Sequence, residues 1–439
     1  MRAVPAERIP GAFDIVVLGA GYAGLMAALR LARSRWPMRI ALVSARDQFL
    51  ERVRLQESIV AMVNPRIASI AAFLSGTTIE FIRGNITSLD TGRRCVRIET
   101  DTREREIEFS QAIYALGSST DVDQIPGVTE HAYRLDAGEG PRSAAALRFR
   151  LRESGDRPIC VVVVGGAETA IEAAAEIKTA WPNAGIVMVS RSRCGDFRGM
   201  RVTNAVRAEL IRLGVRLIDG ETVIAVRDGE VVTESGRTLA CDLCVWSSGL
   251  RSAPLARRAG LATDQLGRVW VDASLRSISH PHVLAVGDAA RPIAPTGAPY
   301  RLSAYTALVS GAYAADVILE RKGKRTLPPF SFSTFGQGIA IGRRGVGFFS
   351  YPDDRQALFI VQGGAARHIR NFFVWLVCHI LKLERKRPGS FFWPGARRVS
   401  WDQANEALQK AGWRSASERH EPQLQSPAPS TSTPDCHKP

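Results

Sequence analysis

The sequence predicts an α/β chain of two Rossmann-like units of the three-layer ββα type, the second inserted in the first, followed by a small C-terminal α+β region. Three observations carry that reading. An apolar run over 13–18 ends in Gly19-Ala20-Gly21-Tyr22-Ala23-Gly24 and passes into helix formers; the same strand, glycine turn and helix pattern returns at Gly165; and a late apolar run over 283–286 ends in Gly287-Asp288.

Taken in order, residues 25–33 repeat apolar side chains at helical spacing, and 38–43 form a second buried strand. This completes a βαβ unit whose crossover is right-handed. Residues 78–82, 95–100 and 106–109 read as β. The second unit runs from a strand at 159–164 through a helix ending at Ala180 to a strand at 186–189, with further β at 230–234 and 243–246. A helix is expected after Thr296, and a third region runs from about Phe330 to Gly395. Residues 415–439 are Ser, Pro, Thr and Gln without periodicity and are expected to stay disordered, because they bury too little apolar area to offset ordering entropy. The expected division is 12–120 with 251–325, then 121–250, 326–413, and a tail at 414–439.

Composition fits this picture and excludes others. The chain has 439 residues, 45% apolar and 23% charged, enough for two or three cores. Its seven cysteines are scattered and odd in number, which favours reduced thiols and a cytoplasmic setting. The net charge of +15 should attract phosphates, anionic lipid or nucleic acid. Nucleic acid is not expected, since basic stripes interleaved with aromatics are absent. Residues 1–11 lack the apolar core of a signal peptide, and no run reaches the ~18 apolar residues of a spanning helix, so membrane contact would be peripheral, on the inner face of the cell membrane.

The first glycine motif points to a dinucleotide. Gly19 makes the tight turn, Gly21 lets backbone approach a pyrophosphate, Gly24 packs helix on strand, and the helix N-terminus faces the phosphates, with Ala20, Tyr22 and Ala23 filling the turn. The acid usual at the end of the second strand is replaced by Ser44, with Arg46 two residues on. Serine can still bond a ribose hydroxyl, and Arg46 either meets the cofactor or faces solvent.

Together the glycine motif, Ala115-Leu116-Gly117 and the late Ala285-Val286-Gly287-Asp288-Ala289 resemble the FAD-dependent pyridine nucleotide oxidoreductases, and within them the type II NADH dehydrogenase-like group. The resemblance covers about residues 12–325. It implies FAD in the first unit, with Asp288 accepting a hydrogen bond from the ribityl chain and Ile86, Gly117 and Gly287 among its contacts. It implies NADH or NADPH in the second, with Gly165, Gly166, Ala167, Glu168 and Gly249 as contacts and Glu172 at the family's acidic position on the helix. Ala167 and Ala170 stand where the family has glycine, and a Rossmann unit kept for structure alone is the alternative. The second strand ends in Ser190-Arg191-Ser192-Arg193 with no acid for a 2′-hydroxyl; arginine there suits a 2′-phosphate.

Disulfide reductases of the wider family carry a cysteine pair soon after the second strand. Residues 44–64 hold none, which favours direct delivery of electrons from reduced flavin to a separate acceptor. Glu51, Arg52, Arg54 and Glu57 occupy that place instead. Arg52 and Arg54 are the candidates for stabilising negative charge on the reduced ring; an amphipathic helix face is the plain alternative. Cys241 and Cys244 read as core, and His280 and His282 flank Pro281 without metal-ligand spacing, so no metal is expected.

Residues 371–383 form an apolar helical run bordered by Arg367, Arg370, Lys382, Arg385, Lys386 and Arg387. At ~1.5 Å per residue it reaches only ~20 Å, too short to span a bilayer. Its cationic border over 367–387 suits a membrane surface; packing on the first unit, or on a second copy in a homodimer, is the alternative. A quinone is the first candidate acceptor. A soluble reductase of a protein or metabolite, and a redox-sensing flavoprotein without turnover, remain the other readings.

Overall fold

In a computed structural model the residues described are 12–34, 36–60, 66–135, 140–196, 199–323, 327–333, 336–350, 357–393 and 399–412. The expected tail and residues 394–398 of the third region lie outside them. The first unit opens with β1 (Phe13–Leu18), α1 (Tyr22–Leu31) and β2 (Ile40–Ser44). The second holds β3 (Cys160–Val164), α2 (Glu168–Ala180) and β4 (Gly185–Ser190) after a strand at Ala132–Arg134 and a helix at Ala144–Ser154. Two long helices follow, α3 (Ala304–Gly323) and α4 (Gly364–Lys386).

β1 and β3 are nearly continuous runs of Val, Ile, Leu and Phe because a parallel strand under helices is buried on both faces. β1 lies parallel between β2 and the second half of the long strand Glu104–Tyr114. The first half of that long strand pairs antiparallel with Cys95–Glu99, so one strand joins the parallel sheet to a β meander. Val283–Ala285 returns to pair parallel with its far side. In the second sheet, Ala132–Arg134, Leu243–Trp246, β3, β4 and Val215–Asp219 lie in that order, all parallel. A small antiparallel sheet, Val223–Arg227, Glu230–Thr233 and Thr238–Ala240, forms its third layer. The chain crosses between the units on the antiparallel pair Ser118–Thr120 and Leu250–Ser252, with Arg251 paired to Asp121 at 2.6 Å.

Two elements differ from expectation. The helix expected after Thr296 begins at Ala304, because residues 290–299 first make short bridges. The apolar run at 371–383 is the middle of a 23-residue helix, about 35 Å long at 1.5 Å per residue. Its polar ends join the helix through Arg367 and Arg370 contacts to other elements, which periodicity in 371–383 could not reveal. No described helix is long and apolar enough to cross a membrane.

The third region has no separate core among the described residues. Ile339, Ile341, Val346 and Phe348, from the antiparallel strands Gln337–Ile341 and Arg344–Ser350, join the second unit's core, whereas Ile380 and Leu381 of α4 join the first.

α1 is buried on every side, with Leu25, Met26 and Leu29 at or below 1% exposure, sandwiched between sheet and α3. The contact is close because it is made of small residues. A Cβ on Gly311 of α3 would collide with the backbone of Ala23, one residue from the glycine turn. Gly311→Ala should therefore cost about 1–3 kcal/mol through overpacking. Thermal unfolding should fall by several degrees and bound flavin should decline, whereas Gly364→Ala, with open space around its Cβ, should leave both near wild type.

Candidate active site

The two glycine turns are built alike. Gly19 N–H donates to Val43 O and Gly165 N–H to Val189 O, each at 2.8 Å, so each strand ends on the carbonyl of its neighbour. Both glycines hold positive φ, +104° and +135°, and a Cβ on either would meet a backbone carbonyl, of Ala115 or Ser247, at 2.5 Å. Only glycine fits both requirements. α1 and α2 then start identically, with Leu25 N–H donating to Gly21 O at 2.9 Å and Ile171 N–H to Ala167 O at 3.0 Å.

Ala167 replaces glycine without altering the turn. Its φ of −91° is one any residue adopts, and it is exposed at the cleft like Gly21. Ala170 is fully buried, its methyl against the Gly165 turn where Gly24 sits tightly under Gly19. The sequence departures thus leave intact the backbone that a pyrophosphate needs.

Both turns face one cleft of about 1760 Å³, beyond the ~300–1000 Å³ typical of a single small ligand. Its walls include Gly19, Ala20, Gly21, Tyr22 and Ala23 on one side and Gly165, Gly166, Ala167 and Glu168 on the other. Gly24 lies beneath the first turn and serves packing. Ser44, Arg46, Ile86, Gly117, Gly287 and Asp288 line the first half, and Ser190, Arg191 and Gly249 the second. Gly287 adopts a φ of +63°, its N–H donates to Ser310 Oγ at 2.9 Å, and the Asp288 carboxylate accepts from Ser118 Oγ at 2.8 Å. Arg46 is exposed, and its N–H donates to Ser44 Oγ at 3.2 Å, so Ser44 closes the strand end as well as lining the cleft. A long cleft with a glycine turn and a helix N-terminus at each end, and open space above Gly21 at the first, fits two dinucleotides.

The segment after β2 separates the two arginines chosen from sequence. Arg52 lines the cleft, and its guanidinium donates to Ser118 O at 2.6 Å. Arg54 points away, paired with Glu57 at 2.9 Å and Glu51 at 3.6 Å, because the short helical turn at 52–54 sets the two side chains on different faces. That pairing is the amphipathic alternative.

Glu172 lies at the cleft floor, 6% exposed, in a buried charge cluster. Arg370 of α4 reaches it with Nε at 3.0 Å and Nη2 at 2.9 Å, and pairs with Glu57 at 2.6 Å. The Ala340 N–H donates to Glu172 at 2.9 Å, and Gln56 donates to its other oxygen. Burial works against the Arg370 charge, but the Glu172 and Glu57 carboxylates outweigh it and hold the guanidinium protonated. Arg370 was legible only as part of a cationic border, and Gln56 carried no signal.

The sequence reading also missed an arm of the cleft that runs under α4. It is lined by Leu376, Val377, Ile380, Phe391 and Phe392, with Tyr305 beside Phe391. Tyr305 packs edge-on against Phe332 and Phe391, and its hydroxyl has no partner among the described residues. Burial pushes that phenol up to about 12, so it is a donor at neutral pH. Arg301, four residues earlier, reaches Gln337 and lies 3.8 Å from Glu168 across the cleft.

Among the described residues no group of His, Cys, Asp and Glu can hold a metal ion. Cys244 lies on the parallel-sheet strand Leu243–Trp246 and Cys241 just before it, both buried in the core shared with the small antiparallel sheet. Cys378 of α4 is buried against Glu51 and Tyr22.

Two dinucleotide-type turns facing one cleft define a two-nucleotide oxidoreductase, and the comparisons agree. The family model described as pyridine nucleotide-disulphide oxidoreductase matches residues 13–311, and the chain belongs to that family. An NADH dehydrogenase-like protein of Mycobacterium tuberculosis is 28% identical over 63% of this chain and 72% of its own. The demethylphylloquinone reductase of Synechocystis is 25% identical over 75% of this chain and 85% of its own. A solved sulfide:quinone oxidoreductase of Aquifex aeolicus superposes with a TM-score of 0.73 at 16% identity, over 86% and 93% of the two chains. The chain is accordingly an FAD-dependent oxidoreductase using NAD(P)H.

Burial pushes the thiols of Cys194, Cys241 and Cys378 up to about 12, in Cys378 with the Glu51 carboxylate adding to it. A raised thiol stays protonated and unreactive until the pH approaches that value. Peptide mapping after iodoacetamide at pH 8 should find these three unlabelled in folded protein and labelled after denaturation. Fast native labelling of any of them would restore a thiol relay.

Proposed function

We propose that the enzyme passes electrons from NAD(P)H through FAD to a quinone, held in the apolar arm between Tyr305 and α4. That arm carries the reading. A flat, apolar headgroup suits walls of Leu, Val, Ile and Phe, and the Tyr305 hydroxyl is a donor placed where a carbonyl oxygen needs one.

FAD bound at the first turn would take hydride from the nicotinamide and return two electrons to the acceptor. The overall balance is NAD(P)H, quinone and one proton giving NAD(P)⁺ and quinol. Arg52 places a fixed positive charge at the cleft, held in orientation by Ser118 O. Asp288, on a turn fixed by Gly287 and Ser310, presents a carboxylate acceptor. Glu172 supports the site through its buried pair with Arg370, which ties α2 to α4. Tyr305 orients the acceptor by hydrogen bonding, its own proton retained by burial.

Stopped-flow mixing should bleach the flavin band with NADH or NADPH, and a short-chain quinone should restore it. Tyr305→Phe should raise KM for the quinone about five- to tenfold, as for loss of one hydrogen bond of roughly 1 kcal/mol, with reduction by the nicotinamide unchanged. Reoxidation by quinone no faster than buffer alone would point to a protein or metabolite acceptor instead.

The outer face of α4 is the proposed route for the quinone. Phe372 and Trp375 are 55% and 52% exposed and stack on each other, Phe349 stacks on Phe359 beside them, and Lys382, Arg385, Lys386 and Arg387 follow on the same helix. Aromatics beside a cationic end suit an anionic membrane surface. The protein should sediment with vesicles containing anionic lipid and less with neutral ones; Phe372→Ala with Trp375→Ala should weaken the binding, and equal recovery in the supernatant from both vesicle types would exclude this face.

A further inference from the structure

We infer that the second unit carries a subsite for a 2′-phosphate, formed by Arg191 with Ser192 and Arg193, which makes NADPH the preferred donor. This rests on the reading of that unit as the donor site.

The subsite lies at the end of β4. In a dinucleotide fold this strand end meets the adenosine ribose, an acid there accepts its hydroxyls, and an arginine nearby accommodates a 2′-phosphate. Here the strand closes on Ser190, which is buried, with its hydroxyl against Gly166 of the turn. Arg191 comes next, exposed and lining the cleft, and among the described residues no carboxylate pairs with it. Arg193 also lines the cleft and is held in place by Asn204, with Nη2 donating to Oδ1 at 3.1 Å.

Of the acids close by, two are engaged elsewhere, and Asp196 lines the cleft five residues beyond Arg191. Asp219 pairs with Arg207 at 2.7 Å and accepts from the Cys194 N–H at 2.8 Å. Glu221 lines the cleft, but its carboxylate accepts from Ser235 Oγ at 2.7 Å and faces Arg237 at 3.7 Å. Directly after the strand end a ribose thus meets Arg191 rather than a carboxylate.

The first unit serves as an internal control. Its equivalent strand also ends in serine, Ser44, so a missing acid alone distinguishes nothing. The next residue differs: Ala45 at the first site, Arg191 at the second. The first site has its arginine one residue later, at Arg46, so an arginine directly follows the strand-end serine only at the second site. Arginine offers paired donors matched to phosphate oxygens, and such charge-assisted bonds are the strong ones.

Titration calorimetry of the FAD-loaded protein with 2′,5′-ADP and with 5′-ADP reads the subsite without turnover. 2′,5′-ADP should bind at least about tenfold more tightly. Arg191→Ala should remove most of that difference and Arg191→Glu should invert it, with flavin absorbance and thermal unfolding confirming that both variants are folded. The ratio of kcat/KM for NADPH over NADH should fall in the same order. Equal binding of the two ADP species, or discrimination that survives Arg191→Glu, would overturn the proposal. Flavin bleached by NADH without NADPH preference would defeat this inference alone, whereas flavin bleached by neither donor would defeat the donor-site reading beneath it.

Discussion

The buried contact between Arg370 and Glu172 is the constraint on which the site depends. It joins three parts of the chain: Glu172 from the second unit's first helix, Glu57 and Gln56 from the segment after β2, and Arg370 from α4. Removing one partner from such a cluster costs about 3–5 kcal/mol, because the other charge stays buried and unpaired. A cluster that costly to open fixes the second unit and the C-terminal helix at set positions around the first. The third region accordingly divides its apolar side chains between two cores, and the arm of the cleft under α4 has a defined shape.

Around that fixed centre the molecule repeats one solution twice. Each glycine turn uses a positive-φ glycine beneath a backbone carbonyl of the neighbouring crossover, and each helix starts with an extended residue exposed at the cleft. Alanine can replace the second glycine because that residue has negative φ, and can replace the third because α2 is accommodated with a methyl against its turn. Alanine cannot replace the first. The distinction lies in backbone conformation, which makes the motif a statement about φ as much as about residue type.

The basic balance also resolves into parts. Many arginines serve internal pairs, such as Arg268 with Asp264, Arg344 with Glu209 and Arg30 with Asp316. Arg191 at the strand end and the cationic end of α4 lie apart from those pairs, one suited to a phosphate and the other to an anionic surface. Net charge alone did not separate these roles.

Much of the fold was legible in the sequence, since buried parallel strands must be apolar runs and a tight phosphate turn must contain glycine; hence β1, α1, β2, β3, α2 and β4 fall within a few residues of expectation. The Gly287-Asp288 turn was legible for the same local reason, and so was the absence of a cysteine pair over 44–64. What the tertiary structure alone decided concerns residues whose neighbours are distant in the chain. Arg52 and Arg54 look equivalent in sequence and part company only when a short helical turn sends one to Ser118 and the other to Glu51 and Glu57. Arg370 lies 198 residues from Glu172, and no local pattern connects them. Tyr305 and the apolar side chains of α4 become one wall only after two helices from different regions pack against α1. Local backbone chemistry writes itself into neighbouring residues; a buried charge pair or a shared cavity wall does not, because its partners are chosen by the fold.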